Sequence, residues 1–156
     1  MAITLKLFHG STEKIDLQDT SSPYIHVGAG WVPAVATPTG DGSIPAYVVE
    51  TIPVTISAAN EDGLATELQK IHDLQRKAAQ YWVDSFQSDP VWLHRKLDGE
   101  TTGTRALIKS IDFAPSYSWL SPPGSYDSLD GVLTVVRHPY WERLTMRTFP
   151  NASPSA

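Results

Sequence analysis

The sequence predicts an α+β fold that is mainly β, namely an antiparallel β-sandwich with one flanking α-helix and long loops. Three observations predict it. Apolar and polar residues alternate in several short segments, which is typical of half-buried strands. Only one segment repeats its apolar residues at helical spacing. The 10 glycines and 12 prolines of the chain interrupt the stretches between these segments, as they do in loops.

The composition bounds the class of protein. A chain of 156 residues suits one domain, which we expect over residues 1–145, followed by a flexible C-terminal tail over residues 146–156. The absence of cysteine excludes a disulfide scaffold and a thiolate zinc site. The net charge of −5 argues against a protein that binds duplex DNA through clustered Lys and Arg. No signal peptide or membrane anchor is predicted.

The first half of the chain predicts strands separated by a long loop. Ile3, Leu5 and Leu7 alternate with polar residues and indicate a first strand. A loop-rich stretch follows to about residue 45, in which short strands are predicted at 24–27 and 31–36. Residues 47–57 form the clearest extended segment. Pro53 lies within it and cannot donate to a ladder, so this strand is predicted at a sheet edge or at a bulge.

One amphipathic helix is predicted next. The run Asn60-Glu61-Asp62-Gly63 is typical of a helix start, because a capping side chain precedes acidic residues at the positive end of the dipole. Asp89-Pro90 ends the segment. The apolar stripe consists of Leu64, Leu68, Ile71, Leu74, Ala78, Tyr81 and Trp82. We expect it to pack on the sheet with Trp82 in the core, where Trp82→Ala would cost on the order of 3–5 kcal/mol.

The second half returns to strand patterns. Residues 91–97 and 105–113 are predicted to pair as a hairpin around the loop 98–104. A second irregular stretch spans residues 114–130. The last predicted strand covers residues 131–137, and Pro139 stops it.

The sequence offers no catalytic motif. Its histidines, His9, His26, His72, His94 and His138, include no H-E-x-x-H pair, so no metal site is predicted. Gly28-Ala29-Gly30 is a lone G-x-G, and the residues that follow do not continue a dinucleotide fingerprint. No G-x-S-x-G nucleophile elbow is present. We therefore predict no enzyme and no cofactor. A hydrolase with carboxylates distant in the sequence stays open as a third hypothesis.

Aromatic residues in the loops carry more information. Trp31 and Trp119 lie in the two irregular stretches, and Tyr126 lies in the second. Such rings cap the end of a core, anchor a protein–protein interface, or stack on sugars. The sequence leaves these three interpretations open.

The end of the chain resembles a known family. Residues 131–142, GVLTVVRHPYWE, resemble the closing strand of tail proteins from long-tailed bacteriophages, in which x-L-T-x-x-R runs into x-P-x-W. The helical segment 64–86 and the apolar strand that begins at Pro90-Val91-Trp92-Leu93 resemble family segments in the same order. Residues 108–115 also match in kind. The resemblance covers about residues 3–144.

The resemblance implies a structural virion protein of the tail-tube and distal-tail group. Members share a β-sandwich flanked by a helix, and their subunits close into hexameric rings through which DNA passes. It implies a homo-oligomeric ring assembled in the host cytoplasm and built into the phage tail with other tail proteins, as a tube subunit or as a distal ring. DNA would pass without specific binding.

This family interpretation assigns provisional site residues. Open strand edges would be covered between neighbouring subunits, and an acidic lumen would repel DNA. Trp31, Trp119 and Tyr126 are the expected interface residues. The expected lumen carboxylates are Glu50, Asp98 and Glu100. The rival hypothesis is a carbohydrate-binding β-sandwich that uses loop aromatics as stacking platforms.

Overall fold

The computed structural model describes residues 3–28, 31–38, 40–115 and 128–144. These residues form eight strands and one helix. In chain order they are β1 (Thr4–His9), β2 (Thr12–Asp16), β3 (Tyr24–Val27), β4 (Val48–Ser57), α1 (Glu61–Val83), β5 (Val91–Lys96), β6 (Thr104–Pro115), β7 (Ser128–Arg137) and β8 (Glu142–Arg143).

The described strands pair into one curled antiparallel sheet. Its order is β2-β1-β5-β6-β7-β4-β3, and β8 pairs with the start of β6. Strand β6 pairs with β5 near its start and with β7 from Ile108 onward, with an irregular register between Ile108 and Ser110. The curl brings the two outer strands together at Leu17, whose carbonyl accepts from the Val27 amide at 2.8 Å. The predicted class, α+β and mainly β, is confirmed.

The core lies between the concave side of this sheet and the helix. Strand β4 buries every second residue from Val48 to Ile56, and β7 does the same from Gly131 to Arg137. The helix contributes Ile71, Leu74 and Ala78. Burying a side chain of the size of Leu or Ile contributes about 1.5–3 kcal/mol to stability. The two-residue period of the strands and the helical period of α1 place these side chains on one face of each element, where they pack together.

The helix begins as its sequence predicts. The Asn60 side chain accepts a hydrogen bond from the Gly63 amide at 2.8 Å, while Glu61 and Asp62 occupy the first turn. These features satisfy one free amide and place negative charge at the positive end of the dipole. The helix packs on β6, β4 and β5.

Two strand predictions are wrong. Residues 31–36 form no strand, although they contain two valines and two alanines. Strand β4 is neither at an edge nor bulged at Pro53, because β7 and β3 flank it and both ladders run without a register shift. Pro53 is tolerated there because its carbonyl accepts from the Gly28 amide at the point where β3 ends, so its missing N–H falls beyond the β3 ladder.

Two further strands carry too little pattern to be predicted. In β2 the only buried residue is Ile15, so apolar alternation is absent. Strand β8 is two residues long and exposed. Strand β8 is held by pairing with β6, which is a tertiary effect that local sequence does not encode. Strand β2 pairs with β1 across the two-residue turn Gly10-Ser11, in which Gly10 has a φ of 61°, so its local signal is the turn and not alternation.

A glycine and a phenylalanine form a matched pair on β6 and β7. A Cβ added to Gly131 would lie 2.4 Å from the ring of Phe113 and 2.8 Å from the Ala114 carbonyl oxygen. The Phe113 ring therefore covers the glycine, which leaves no room for a side chain.

Candidate interaction surface

A buried ion pair joins the start of β4 to the end of β7. Arg137 donates from Nε to Glu50 Oε1 at 2.9 Å, and its Nη2 lies 2.9 Å from the same oxygen. Glu50 is 0% exposed and Arg137 is 1% exposed. Such a pair is stable only if its remaining donors and acceptors are satisfied, because both charges have lost their hydration.

The remaining groups of the ion pair bind an irregular loop. The Ala34 amide donates to Glu50 Oε2 at 2.9 Å, and Arg137 Nη2 donates to the Ala34 carbonyl at 2.9 Å. Arg137 Nη1 also donates to the His138 carbonyl at 2.8 Å. Both backbone groups of Ala34 are thus held by buried charges, so this loop has a fixed position without belonging to a strand.

The Trp141 ring contacts the guanidinium group of the ion pair. The guanidinium carbon of Arg137 lies 4.5 Å from the Trp141 ring centroid, and that of Arg95 lies 4.0 Å from it. Burial lowers the pKa of Arg95, and the positive charge of Arg137 lowers it further. The two cations share one aromatic ring, which attracts both through its quadrupole.

The predicted lumen residues have different environments. The prediction for Glu50 is wrong, because a carboxylate that is fully buried against Arg137 within its own subunit cannot line a channel. Asp98 is exposed in the loop between β5 and β6. Glu100 is half-buried in the same loop, where its Oε2 accepts from the Leu97 amide at 2.9 Å.

The predicted interface aromatics are only partly described. Trp31 packs against the core, half-buried, and its Nε1 is buried with no hydrogen-bond partner among the described residues. Trp119 and Tyr126 lie outside the described residues, as do the predicted tail 146–156 and most of the second irregular stretch.

The prediction that Trp82 is a core residue is wrong. Its side chain is 42% exposed, and its Nε1 donates to the Ile108 carbonyl at 3.3 Å. The helical stripe is correct in phase, but the sheet covers it only as far as Ala78. Beyond that point the indole lies at the rim of the core, tied to β6 by one hydrogen bond.

Trp82 belongs to a row of rings near the end of β7. Its ring centroid is 6.0 Å from that of His138, which lies 5.8 Å from that of Tyr47. The Lys109 Nζ atom lies 4.1 Å from the Tyr47 centroid. Tyr47 precedes β4 and His138 follows β7, so strand pairing brings this row together.

Exposed apolar side chains occur in the chain segments that flank these contacts. Among the described residues, the exposed large apolar side chains are Val32, Val35, Ile44, Val49, Trp82, Val83, Phe86, Tyr140 and Leu144. Each of them lies within four positions in the sequence of a residue that contacts Glu50, Arg137 or His138. We call this region, where β4 begins and β7 ends, the Arg137 end.

The Arg137 end is not visible in the sequence, because a local apolar pattern does not reveal which side chains the folded chain leaves exposed. Val32 and Val35 lie in a segment that the sequence predicts to be a strand, yet they are 78% and 80% exposed. Phe86 is fully exposed, and it lies beyond the last helical turn. The available sequence signal is the two-residue alternation, which places Glu50 and Arg137 in phase with the apolar residues of their strands.

A second surface feature is a groove between β2 and the helix, with a volume of about 330 Å³. Lys14, Lys70, Arg76 and Lys77 line it, together with the nearly fully buried Leu74. We call it the lysine groove. These are four of the 12 Lys and Arg of the chain, whereas Glu13 and Asp73 are two of its 17 carboxylates. The groove is therefore locally basic on an acidic protein.

No histidine among the described residues forms a site with ligating neighbours. His94 stacks on Phe8 at 3.8 Å, and burial, reinforced by Arg105 and Lys6, lowers its pKa to about 4. Within the described ranges, no three His, Asp or Glu side chains are grouped so that they could hold a metal ion. No helix of the same ranges is long and apolar enough to cross a membrane.

Comparison with known proteins identifies no relative. No protein-family model, no curated protein and no solved structure matches the chain.

Proposed function

We propose that this chain is a structural subunit of a bacteriophage tail, which forms hexameric rings around a DNA conduit. The single observation that carries the proposal is the concentration of exposed apolar side chains at the Arg137 end. Isolated exposed apolar residues are ordinary on soluble domains, but a concentration of them is typical of a surface that contacts another protein.

The extent of exposure at the Arg137 end favours a protein partner. Val83 is 88% exposed and Phe86 is 101% exposed. Each would contribute about 1.5–3 kcal/mol if a neighbouring subunit covered it fully. An assembly subunit carries such residues because it completes its core only when it binds the next copy.

The buried ion pair favours assembly for a different reason. Glu50 and Arg137 hold Ala34 through both of its backbone groups, so Val32 and Val35 project from a loop that is already ordered. Ordering a free loop during association would cost on the order of 1–2 kcal/mol per residue in backbone entropy. A preorganised loop avoids that cost and so binds more tightly.

The charge of the chain suits a conduit. Six copies at −5 each would carry about −30, which repels a polyanion. Of the three carboxylates predicted for the lumen, Asp98 is the one that is exposed, so it is the candidate that we retain. DNA would slide past such a surface and would not bind it.

A carbohydrate-binding module is the alternative that one observation favours. Trp82 is partly exposed, and its hydrogen bond to the Ile108 carbonyl fixes the indole beside His138 and Tyr47. A fixed, exposed aromatic ring next to polar groups is suited to stack on a sugar. This platform differs from the Trp31, Trp119 and Tyr126 set that the sequence suggests.

Negative-stain electron microscopy of the purified chain tests the proposal. We expect six-fold rings or stacked rings. A homogeneous 17.1 kDa monomer that binds defined glycans on an array, with binding lost in Trp82→Ala, would instead establish the carbohydrate module.

A further inference from the structure

We propose that residues 84–89 of one copy dock in the lysine groove of a second copy. The inference rests on the proposed assembly and names one of its contacts. The segment reads Asp84-Ser85-Phe86-Gln87-Ser88-Asp89 and connects the end of α1 to β5.

The groove presents uncompensated positive charge. Lys70 is paired with Glu67 at 2.8 Å, and Arg76 is paired with Asp73 at 3.2 Å. Lys14 and Lys77 also line the groove, yet neither forms an ion pair within the described residues.

The two carboxylates of the groove are already neutralised by partners. Glu13 pairs with Lys6 at 2.6 Å, and Asp73 pairs with Arg76. The net attraction of the groove is therefore for an anion, and the free Lys14 and Lys77 are the groups that would bind it.

The groove also presents some apolar surface. The alkyl stems of Lys14 and the half-buried Lys77 contribute it, whereas Leu74 lines the groove but is only 2% exposed. His9 also lines the groove, and its Nε2 is buried without a hydrogen-bond partner among the described residues. The matching occupant is a peptide with an acidic group beside an apolar one.

The segment 84–89 has this composition. It carries two carboxylates and no cation, and Phe86 between them is 101% exposed. The Phe86 ring does not fill the groove of its own chain, because a side chain in that groove would lose exposure. Its position in solvent leaves it available to a neighbouring molecule.

Local geometry holds the segment in place. The Asp84 amide donates to the Gln80 carbonyl at 2.9 Å and ends the helix. At the other end, the Pro90 carbonyl accepts from the Gly10 amide at 2.7 Å. The segment is thus a short loop anchored at both ends, which presents Phe86 at low entropic cost.

Disulfide trapping between two copies tests this contact directly, because the chain has no cysteine of its own. One preparation carries Ser85→Cys in the segment. A second, with a larger tag, carries Glu13→Cys in the groove, which leaves all four cations in place. After mixing and mild oxidation, we expect a mixed-tag disulfide dimer on a non-reducing gel, forming at least tenfold faster than for the control.

In the matched control, Glu61→Cys replaces Glu13→Cys in the tagged preparation. Glu61 is solvent-exposed at the start of the helix. The nearest lining residue on the helix is Lys70, nine positions later, or about 14 Å at 1.5 Å per residue. A mixed dimer that forms no faster than with this control overturns the contact. If microscopy still shows rings, the proposed function survives that failure. If the wild-type protein forms no assembly at all, the proposed function itself is contradicted, independently of this contact.

A charge exchange provides the second readout. Lys14→Glu is expected to slow the trapping at least tenfold, and Asp84→Lys in the other preparation is expected to restore part of the rate. Trapping that is insensitive to both changes and to added salt contradicts an electrostatic contact.

Discussion

The middle and the end of α1 differ in what covers their apolar residues. Ile71, Leu74 and Ala78 are at most 2% exposed and pack against the sheet. Trp82 and Val83, one to two turns later, are 42% and 88% exposed. The first group is covered within the chain, whereas the second faces solvent. The difference teaches that helical spacing predicts the phase of an apolar stripe but not how far along the helix the sheet covers it; under the proposed assembly, a second copy would cover the rest.

The same distinction separates buried charge from exposed apolar surface at the Arg137 end. Arg137 and Glu50 are satisfied inside the chain and hold Ala34. Val32 and Val35, on either side of Ala34, face solvent. We expect substitutions of Arg137 and Glu50 to change the free energy of unfolding. Substitutions of the exposed apolar residues are expected to change association between copies.

The largest effect is expected from breaking the buried ion pair. Arg137→Met leaves Glu50 charged, buried and unpaired, which we expect to lower the free energy of unfolding by about 3–5 kcal/mol in urea titration. The double variant Glu50→Leu/Arg137→Met removes both charges and is expected to recover part of that loss. A single variant as stable as the wild type would show that Glu50 reaches water.

Truncations within α1 sharpen the comparison along the helix. Ile71→Ala opens a cavity in the core and is expected to cost about 2–5 kcal/mol. Trp82→Ala is expected to cost only about 1–2 kcal/mol, because its side chain is partly exposed and loses one hydrogen bond. Thermal or urea unfolding measures both. Equal costs would mean that Trp82 is a core residue, as the helical spacing suggests.

Gly131→Ala tests a site that is satisfied by close packing. The new methyl group would lie 2.4 Å from the Phe113 ring and 2.8 Å from the Ala114 oxygen, so we expect a loss of about 1–3 kcal/mol. Combining it with Phe113→Ala is expected to be less than additive, because the ring clash disappears. Additive losses in urea unfolding would place the strain elsewhere.

A pH effect of smaller size is expected from His94. Its pKa is lowered from 6.5 to about 4, chiefly by burial. The unfolded chain therefore binds more protons between pH 6.5 and 4, so the stability contributed by neutral His94 is present above pH 6.5 and lost as the pH falls through that window. His94→Gln should show a shallower decline in unfolding free energy. An unchanged slope would assign the decline to carboxylates.

Much of the fold follows from the sequence because its signals are local. Alternation marks β4 and β7, and the Asn60 cap with its helical stripe marks α1. The rest depends on contacts between distant residues. Strand β8 is fixed only by its pairing with β6, and the exposure of Trp82 depends on where β6 and His138 lie. The Ala34 anchor needs three segments that meet only in the folded chain.

The most direct test of the central claim is sedimentation velocity of the wild type and of Val83→Ser/Phe86→Ser over a range of concentrations. Because both side chains are largely exposed, the double variant is expected to unfold within about 0.5 kcal/mol of the wild type. We predict that the wild type sediments as an assembly well above 17.1 kDa and that the variant shifts toward the monomer. A wild type that remains at the monomer mass at every concentration would contradict the account.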